Sequence, residues 1–332
     1  MPLHDLRVGL VGAGGISHEH AQAWLALGAQ LFAYSPSGAA SLVETYGIRA
    51  ATSLDELVEW CDVVDICSPT ETHPQLILAG IAAGKPVICE KPLALTGALA
   101  AALASSAAEA GVSLYPAHVL RFFPEYARAK EAVDAGAVGT VAVSRFTRRG
   151  EYPSWSPWFA DESKSGGIVL DQMIHDLDMA LWISGAVVRV YAVRSKPVAQ
   201  SSVVSAQVVL THSTGAISYV TGVWGAAGTK FSTSFSIAGA RGVIEHDTRK
   251  DATVQLDIAK TVDHATTRPD ISAVESPFFA ELREFVLGLR GELEPRVTAA
   301  DGVMAVRVAR AAIESIDSGV PVEFTQIEEV TE

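Results

Sequence analysis

Short apolar runs alternate with amphipathic stretches through the first third of the chain. The apolar runs lie at 6–12, 29–35, 62–69, 85–90 and 112–118. Helical spacing separates several of them, at 16–27, at about 74–83 and in an alanine-rich stretch at 92–108. Near-continuous apolar strands that alternate with helices are typical of a parallel sheet covered on both faces. The pattern predicts an α/β domain with a doubly wound parallel sheet.

The pattern changes after about residue 120. Longer runs of alternating polar and apolar positions occur at 140–149, 202–212, 216–225 and 230–239. Such strands indicate a largely antiparallel sheet. Helices are predicted near 124–135, at about 276–290 and at 298–317. We therefore predict two domains, 1–120 and 121–332, with the hinge near 117–123.

The chain is acidic, with a net charge of -13 over 332 residues. Nucleic-acid faces and anionic membrane surfaces both need clusters of Lys and Arg. The most compact basic group is "RFTRR" at 145–149, which we interpret as a solvated face. We therefore expect no nucleic-acid or membrane partner.

The three cysteines, Cys61, Cys67 and Cys89, lie in or beside predicted strands. They form no CxxC pair, so we interpret them as buried reduced thiols. The stretch 92–108 is too weakly apolar to prefer lipid and is predicted to be a helix capped by Thr96. The sequence shows no basic segment followed by a long apolar core at its start, and we expect a cytoplasmic protein.

The segment "VGLVGAGGISHEH" places three glycines between the first predicted strand and the first predicted helix. In a dinucleotide-binding fold the first glycine makes a tight turn and the second lets the backbone approach a pyrophosphate at the helix N-terminus. The third position is Ser17, which is small enough for close packing of the helix on the strand. We predict a cofactor-binding turn at Gly12, Gly14, Gly15 and Ile16; the alternative is a glycine-rich turn without a ligand.

The second strand should end at the adenosine ribose of the cofactor. A carboxylate there favours NAD, and an arginine favours NADP. The sequence has "AYSPS" instead, so Ser35 and Ser37 are the predicted contacts. Without a carboxylate the site does not repel the 2′-phosphate of NADP, which favours NADP slightly. Without an arginine it lacks the usual partner of that phosphate, so NAD remains an alternative.

The stretch "SGGIVLDQMIHDLDMALWISG" at 165–185 is predicted to be one amphipathic helix. Its apolar stripe consists of Leu170, Ile174, Leu177 and Leu181, and a polar stripe of Asp171, His175 and Asp178 runs beside it. An Asp one turn before a His is a pair suited to proton abstraction from a hydroxyl. By spacing alone, a solvated polar stripe explains the pattern more simply. A zinc site lacks further ligands at recognisable spacing, so no metal is expected.

The motifs together resemble the Gfo/Idh/MocA family, which includes glucose-fructose oxidoreductase and inositol dehydrogenase. The resemblance covers nearly the whole chain and is carried by "GLVGAGGI", "SPTETHPQLILAGIAAGKPVICEKPLA", "RFFPEYARAKEAVDAGAVG", "GGIVLDQMIHDLDMALWISG" and "DGVMAVRVARAAIESIDSGVPVEF". It implies an N-terminal Rossmann domain, a C-terminal α/β domain with an open mixed sheet, and a homodimer or homotetramer. It also implies oxidoreduction of sugars, cyclitols or related polyols with NAD or NADP.

The resemblance assigns catalytic roles by motif. Lys91 matches the lysine of the family's EKP motif and would stabilise the developing alkoxide of the substrate. His175 would take the hydroxyl proton, and Asp171 would hold His175 or the substrate. Glu90 is expected to steady the loop or contact the cofactor. The Lys91–Pro92 bond is left open as cis or trans.

Further candidates lie in two places. The turn after the third long apolar run, where family members contact the cofactor, contains Ser68, Pro69, Thr70 and His73. The residues considered for substrate contact are Arg121, Tyr152 and Trp155. Each set has a plainer reading: a polar residue at a helix start for His73, a structural ion pair for Arg121, and packing for the aromatic residues.

Two other functions fit the same motifs. Some family members are glycosidases that oxidise and re-reduce the sugar with a tightly bound, internally recycled NAD. A non-catalytic nicotinamide-binding regulator is a third possibility, against which the set of Lys91, Asp171 and His175 argues.

Overall fold

The structure is a computed structural model that describes residues 5–154, 157–195, 203–250 and 276–324. Its strands are β1 (Arg7–Val11), β2 (Gln30–Tyr34), β3 (Arg49–Ala50), β4 (Val63–Ile66), β5 (Val87–Glu90), β6 (Leu114–Ala117), β7 (Val141–Glu151), β8 (Val187–Arg194), β9 (Val204–His212), β10 (Ile217–Gly225), β11 (Ser232–Gly239), β12 (Gly242–Asp247) and β13 (Val322–Glu323).

Its α-helices are α1 (Gly15–Ala26), α2 (Ala40–Tyr46), α3 (Leu54–Trp60), α4 (His73–Ala82), α5 (Gly97–Glu109), α6 (Pro124–Asp134), α7 (Pro157–Ala160), α8 (Glu162–Ser165), α9 (Gly167–Asp171), α10 (Ile174–Ser184), α11 (Pro277–Leu289) and α12 (Ala299–Ser318). Thr96 caps α5 as predicted, because its side chain accepts a hydrogen bond of 3.2 Å from the amide of Leu99. In the described part of the chain, no helix has the length and apolar character needed to cross a bilayer.

The first sheet consists of six described strands in the order β3-β2-β1-β4-β5-β6, and every neighbouring pair is parallel. This is the Rossmann order, so the predicted doubly wound sheet is confirmed. Strands β4 and β5 are buried at every position, which explains their near-continuous apolar runs; Asp65 and Glu90 are the charged exceptions. Strand β3 escaped prediction because its two residues are exposed and form no apolar run.

The second sheet contains seven described strands in the order β12-β11-β7-β10-β9-β8-β13. Only β7 and β10 pair in parallel among them, so the prediction of a largely antiparallel mixed sheet is confirmed. Alternate positions of β7 are buried, including Phe146, which has 1% of its surface exposed. One face of the sheet therefore packs on a core.

The chain divides into two compact units, and the division differs from the predicted boundary. The first unit takes Met1–Pro124 and Thr267–Val303, and the second takes Glu125–Thr266 and Met304–Glu332. The predicted change at residue 120 is close, but 121–332 is not one domain. Helix α11 joins the first unit because its apolar face, including Phe285, is buried in that unit's core. The Phe285 ring stacks on Tyr115 at a centroid distance of 4.9 Å.

Candidate active site

The glycine turn follows β1 and has the conformation that the motif requires. Gly12 has a φ of 116°, which favours glycine, and its amide donates to the carbonyl of Tyr34 at 2.8 Å. A Cβ on Gly12 would lie 2.5 Å from the carbonyl oxygen of Cys67. No larger residue fits at this position without moving the neighbouring strand.

The next two glycines face open space at the N-terminus of α1. A Cβ on Gly14 or Gly15 would meet nothing within 4 Å. Ser17 is fully buried and packs against the end of β4, and Ile16 packs on the edge of the core. The backbone of Gly14 and Gly15 is thus accessible where a pyrophosphate would approach, and Ser17 is packed on the protein side. These residues therefore fit a dinucleotide.

The predicted ribose contacts follow β2 directly. The hydroxyls of Ser35 and Ser37 lie 3.0 Å apart, and Ser37 is exposed. Neither a carboxylate nor a guanidinium occurs at 35–39. The segment 35–39 therefore offers hydroxyl groups to a ribose and no charge of its own that selects between NAD and NADP.

The turn after β4 is fixed by hydrogen bonds. The hydroxyl groups of Ser68 and Thr72 are hydrogen-bonded at 2.6 Å. The 3-10 turn Thr70–Thr72 leads into α4. His73 is 1% exposed, with Nδ1 at 2.8 Å from the Pro92 carbonyl and Nε2 at 2.9 Å from the Ser68 carbonyl. We therefore assign His73 to joining this turn to the segment after β5, rather than to the cofactor.

Lys91 follows β5 immediately and is half-buried. The Lys91–Pro92 bond is cis. The backbone amide of Lys91 donates to Glu90 Oε2 at 3.1 Å, so Glu90 steadies this loop. Because β1, β4 and β5 are parallel neighbours, Lys91 and Gly12 both stand at the carboxyl edge of the first sheet, where α/β folds bind ligands.

A buried polar network lies behind Glu90. His20 places Nδ1 2.9 Å from Asp65 Oδ2 and Nε2 3.2 Å from Glu90 Oε1. The indole of Trp24 donates to the same Asp65 oxygen at 2.7 Å. Sequence reasoning missed this network, although a charged residue inside the apolar strand "VVDI" was a signal for it.

The charges in this network support one another. Burial disfavours the charged form of His20, but the charge and hydrogen bond of Asp65, together with the neighbouring Cys67, raise the pKa of His20 well above its usual value. Burial likewise opposes ionisation of Glu90, but the hydrogen bond and charge of His20 lower the pKa of that carboxyl. His20, Asp65 and Cys67 have metal-ligand atoms within 4.8 Å of one another, but the His20–Asp65 hydrogen bond already accounts for that closeness.

Glu281, on α11, is a further buried acid in the same unit. It is fully buried, and neither carboxyl oxygen has a hydrogen-bond partner among the described residues. Burial and the charge of Glu90 raise the pKa of Glu281 well above its usual range. The carboxyl is therefore held in its neutral form, since an ionised group here would be uncompensated.

Replacing Glu281 with glutamine is expected to flatten the pH dependence of stability. The unfolded chain releases this proton above the ordinary pKa of 4.5, whereas the folded protein keeps it. The native form binds more protons, so its stability falls as the pH rises from 4.5 toward the raised pKa. The free energy of unfolding of the variant, relative to that of the wild type, should therefore increase by at most about 1.4 kcal/mol per pH unit.

Urea unfolding at pH 5, 6, 7 and 8 measures this difference. Glu294→Gln is the control, because it removes a carboxylate from an exposed position of the same unit. Parallel stability curves for wild type and Glu281→Gln would show that Glu281 does not hold the extra proton.

The predicted helix over 165–185 is broken, so the expectation of one continuous helix is wrong. It forms α9 and α10, and the carbonyl of Ile168 accepts from the amides of both Gln172 and Met173, at 3.1 and 2.9 Å. The side chain of Met173 occupies space that Gly222 of β10 leaves, since a Cβ there would collide with it. Packing on the sheet thus overrides helical continuity.

Asp171 ends α9, and His175 is the second residue of α10. Both side chains are half-buried, whereas Asp178 is fully buried. The three residues therefore do not form the solvated polar stripe that spacing alone favoured. They remain candidates for catalysis in the second unit.

The start of α10 is anchored by an ion pair that the sequence did not reveal. Arg148 donates to both carboxylate oxygens of Asp176, at 2.8 and 3.1 Å, and both residues are buried. Gln172 also donates to the Arg148 carbonyl at 3.0 Å. The interpretation of 145–149 as a solvated face is wrong for Arg148, which alternation placed on the same side of β7 as Phe146.

The substrate candidates have other contacts in the structure. Arg121 is 2% exposed and donates to the Arg296 carbonyl at 2.6 Å and to Asp301 at 3.0 Å. This is the structural ion pair that the sequence left open. Tyr152 packs edge-on against Trp224 at 5.5 Å. Trp155 lies outside the described residues.

A Rossmann sheet with an open glycine turn at its carboxyl edge is typical of dinucleotide-binding domains. Comparison with protein families agrees. Residues 6–118 match the oxidoreductase family with an NAD-binding Rossmann fold, and residues 126–245 match the GFO/IDH/MocA C-terminal domain. The chain belongs to the Gfo/Idh/MocA family and is an oxidoreductase, which confirms the resemblance found in the sequence and the prediction of an enzyme.

Individual relatives span almost the whole chain. Myo-inositol 2-dehydrogenase from Thermotoga maritima is 30% identical over 345 residues, covering 97% of this chain and 99% of the relative. D-apiose dehydrogenase from Paraburkholderia graminis is 28% identical, with 96% and 90% coverage. The solved structure of GenD2 from gentamicin A biosynthesis, in complex with NAD, has a TM-score of 0.83 and 26% identity, covering 97% of both chains.

Proposed function

We propose that the protein is an NAD(P)-dependent dehydrogenase that oxidises a ring hydroxyl of a cyclitol or sugar. The position of Lys91 carries this proposal, because an ammonium at the carboxyl edge of the sheet shares that edge with the glycine turn. Relatives named as inositol and apiose dehydrogenases support the substrate class.

The chain's own residues supply binding and proton transfer. The nicotinamide, when bound, accepts the hydride. Lys91 donates a hydrogen bond to the reacting oxygen and stabilises its negative charge. His175 takes the proton from the hydroxyl, and Asp171 orients His175 or the substrate. The buried Arg148–Asp176 pair fixes the helix that carries His175.

The same proposal extends to assembly and location. Tyr191, Val209 and Tyr219 lie side by side across β8, β9 and β10, and both tyrosines have 40% of their surface exposed. This row supports a homodimer or homotetramer that covers the sheet. The three buried free thiols support a cytoplasmic location.

A substrate panel tests the function. Inositols, aldoses and pentoses, each with NAD or NADP, are expected to include at least one substrate that reduces the cofactor, read at 340 nm. The kcat/KM values for NAD and NADP are expected to agree within about tenfold, because the charged contact that separates the two is worth about 1.5–3 kcal/mol in sites that have it.

Tight cofactor binding with no absorbance change for any substrate would contradict the dehydrogenase. Release of an aglycone from glycosides without added cofactor would instead indicate a glycosidase with a recycled NAD.

A further inference from the structure

A continuous chain of hydrogen bonds joins the core of the first unit to the backbone of Lys91. It starts at the indole of Trp24 and passes through Asp65 to His20. His20 contacts one oxygen of Glu90, and the other oxygen accepts the amide of Lys91. The first three residues have no exposed surface, and Glu90 has 6%.

Stability alone does not explain such a network. Buried charges lose hydration, and well-packed apolar side chains in their place are often as stable or more so. His20 faces Asp65, Cys67 and Glu90, and Glu281 of α11 lies within reach of their charges. Of these groups, His20 is the one that reaches Glu90 with a hydrogen bond, from Nε2 at 3.2 Å, whereas neither carboxyl oxygen of Glu281 has a hydrogen-bond partner among the described residues.

The two ring nitrogens of His20 have separate tasks. Nδ1 ties the ring to Asp65 in β4, and Nε2 holds Glu90 at the end of β5. One Glu90 oxygen is thereby fixed, so the other is aimed at the amide of the next residue. Displacement of a reacting group by about 1 Å costs about a hundredfold in rate.

We propose that His20 is a positioning residue, which acts through Glu90 to hold the backbone of Lys91 in place. The proposal rests on the proposed function only in giving Lys91 its catalytic role. The alternative is that His20 merely fills the core, in which case any variant of similar size and polarity has the same effect on Lys91.

Two variants separate these roles. In His20→Gln the side-chain amide can occupy the place of Nε2 and keep the contact with Glu90. In His20→Asn the shorter side chain places its amide near Nδ1, which keeps the contact with Asp65 and loses Glu90. Both variants remove the charge, so the loss of thermal stability should be similar.

Two readouts apply to both variants. Hydrogen–deuterium exchange of the Lys91 amide needs neither substrate nor cofactor, and kcat and KM are measured with the best polyol of the panel. In His20→Asn we expect amide exchange at least about tenfold faster and kcat about 10- to 100-fold lower, with KM within about threefold. In His20→Gln both quantities should stay within about threefold of the wild type. Equal behaviour of the two variants in exchange, or in kcat, overturns the proposal.

Glu90→Ala keeps the test decisive if His20→Asn does not fold. This variant removes the carboxylate that accepts the hydrogen bond from the Lys91 amide and leaves His20 in place. Exchange of the Lys91 amide should therefore become faster, and kcat should fall. Unchanged exchange or unchanged kcat overturns the proposal.

Failure of the proposed function looks different. In that case Lys91→Met turns over as fast as the wild type, or no polyol reacts, while the exchange rates still separate the two His20 variants. If Lys91→Met is inactive but the two His20 variants match, only the positioning role of His20 fails.

Discussion

Replacing Lys91 with methionine is expected to lower kcat by about two to three orders of magnitude, the loss found when one donor to a developing oxyanion is removed. Methionine keeps the length and apolar stem of the side chain but removes the ammonium. The fold should persist, because Lys91 is half-buried and its amide contact with Glu90 does not depend on the side chain. Steady-state turnover with the best polyol measures the loss, and fluorescence titration measures cofactor binding.

Lys85→Met is the matched control. Lys85 lies just before β5, at the other end of the strand, and donates to the Cys61 carbonyl at 2.8 Å. Its loss removes a structural hydrogen bond and should leave kcat within about threefold. Comparable turnover of Lys91→Met and Lys85→Met would remove Lys91 from the chemistry.

Replacing His175 with alanine is expected to lower kcat/KM by about 100- to 10,000-fold, since general base catalysis contributes about that much. Added imidazole should restore part of the activity, because the vacated space can admit a small base. A rise in rate that saturates with imidazole concentration distinguishes a missing base from a damaged fold.

His246→Gln serves as the control for His175. His246 is a half-buried histidine of the same unit, with its ring 5.4 Å from Phe235. Its replacement should leave kcat/KM near the wild-type value, and imidazole should have no effect. If His175→Ala is fully active, or if imidazole raises the kcat/KM of His175→Ala and His246→Gln equally, His175 is not the base.

Much of the fold could be predicted from the sequence because each sheet has its own hydrophobic period. Near-continuous apolar runs such as β4 and β5 indicated a parallel sheet, and the alternation along β7 indicated a sheet with one buried face. The glycine turn was also readable, since a φ of 116° and the closeness of Cys67 leave glycine as the fitting residue at position 12. These features depend on local sequence.

The features that escaped prediction depend on contacts between distant segments. The break after Asp171 follows from the space that Gly222 leaves for Met173, about fifty residues away along the chain. The partner of Arg148 is Asp176 on another element, and alternation alone showed only which side it faces. The spacing of motifs indicated candidate site residues but not the network that holds Glu90.

The return of α11 to the first unit has a consequence for synthesis on the ribosome. The buried side chains Leu282, Phe285 and Val286 complete a core whose other members begin at Leu6. The core of the nascent sheet therefore stays incomplete until most of the chain has been translated. Until then, the surface of Tyr115 on which Phe285 stacks is uncovered. Although it is encoded first, the cofactor-binding unit cannot finish folding first, in contrast to the usual N-to-C order of domains.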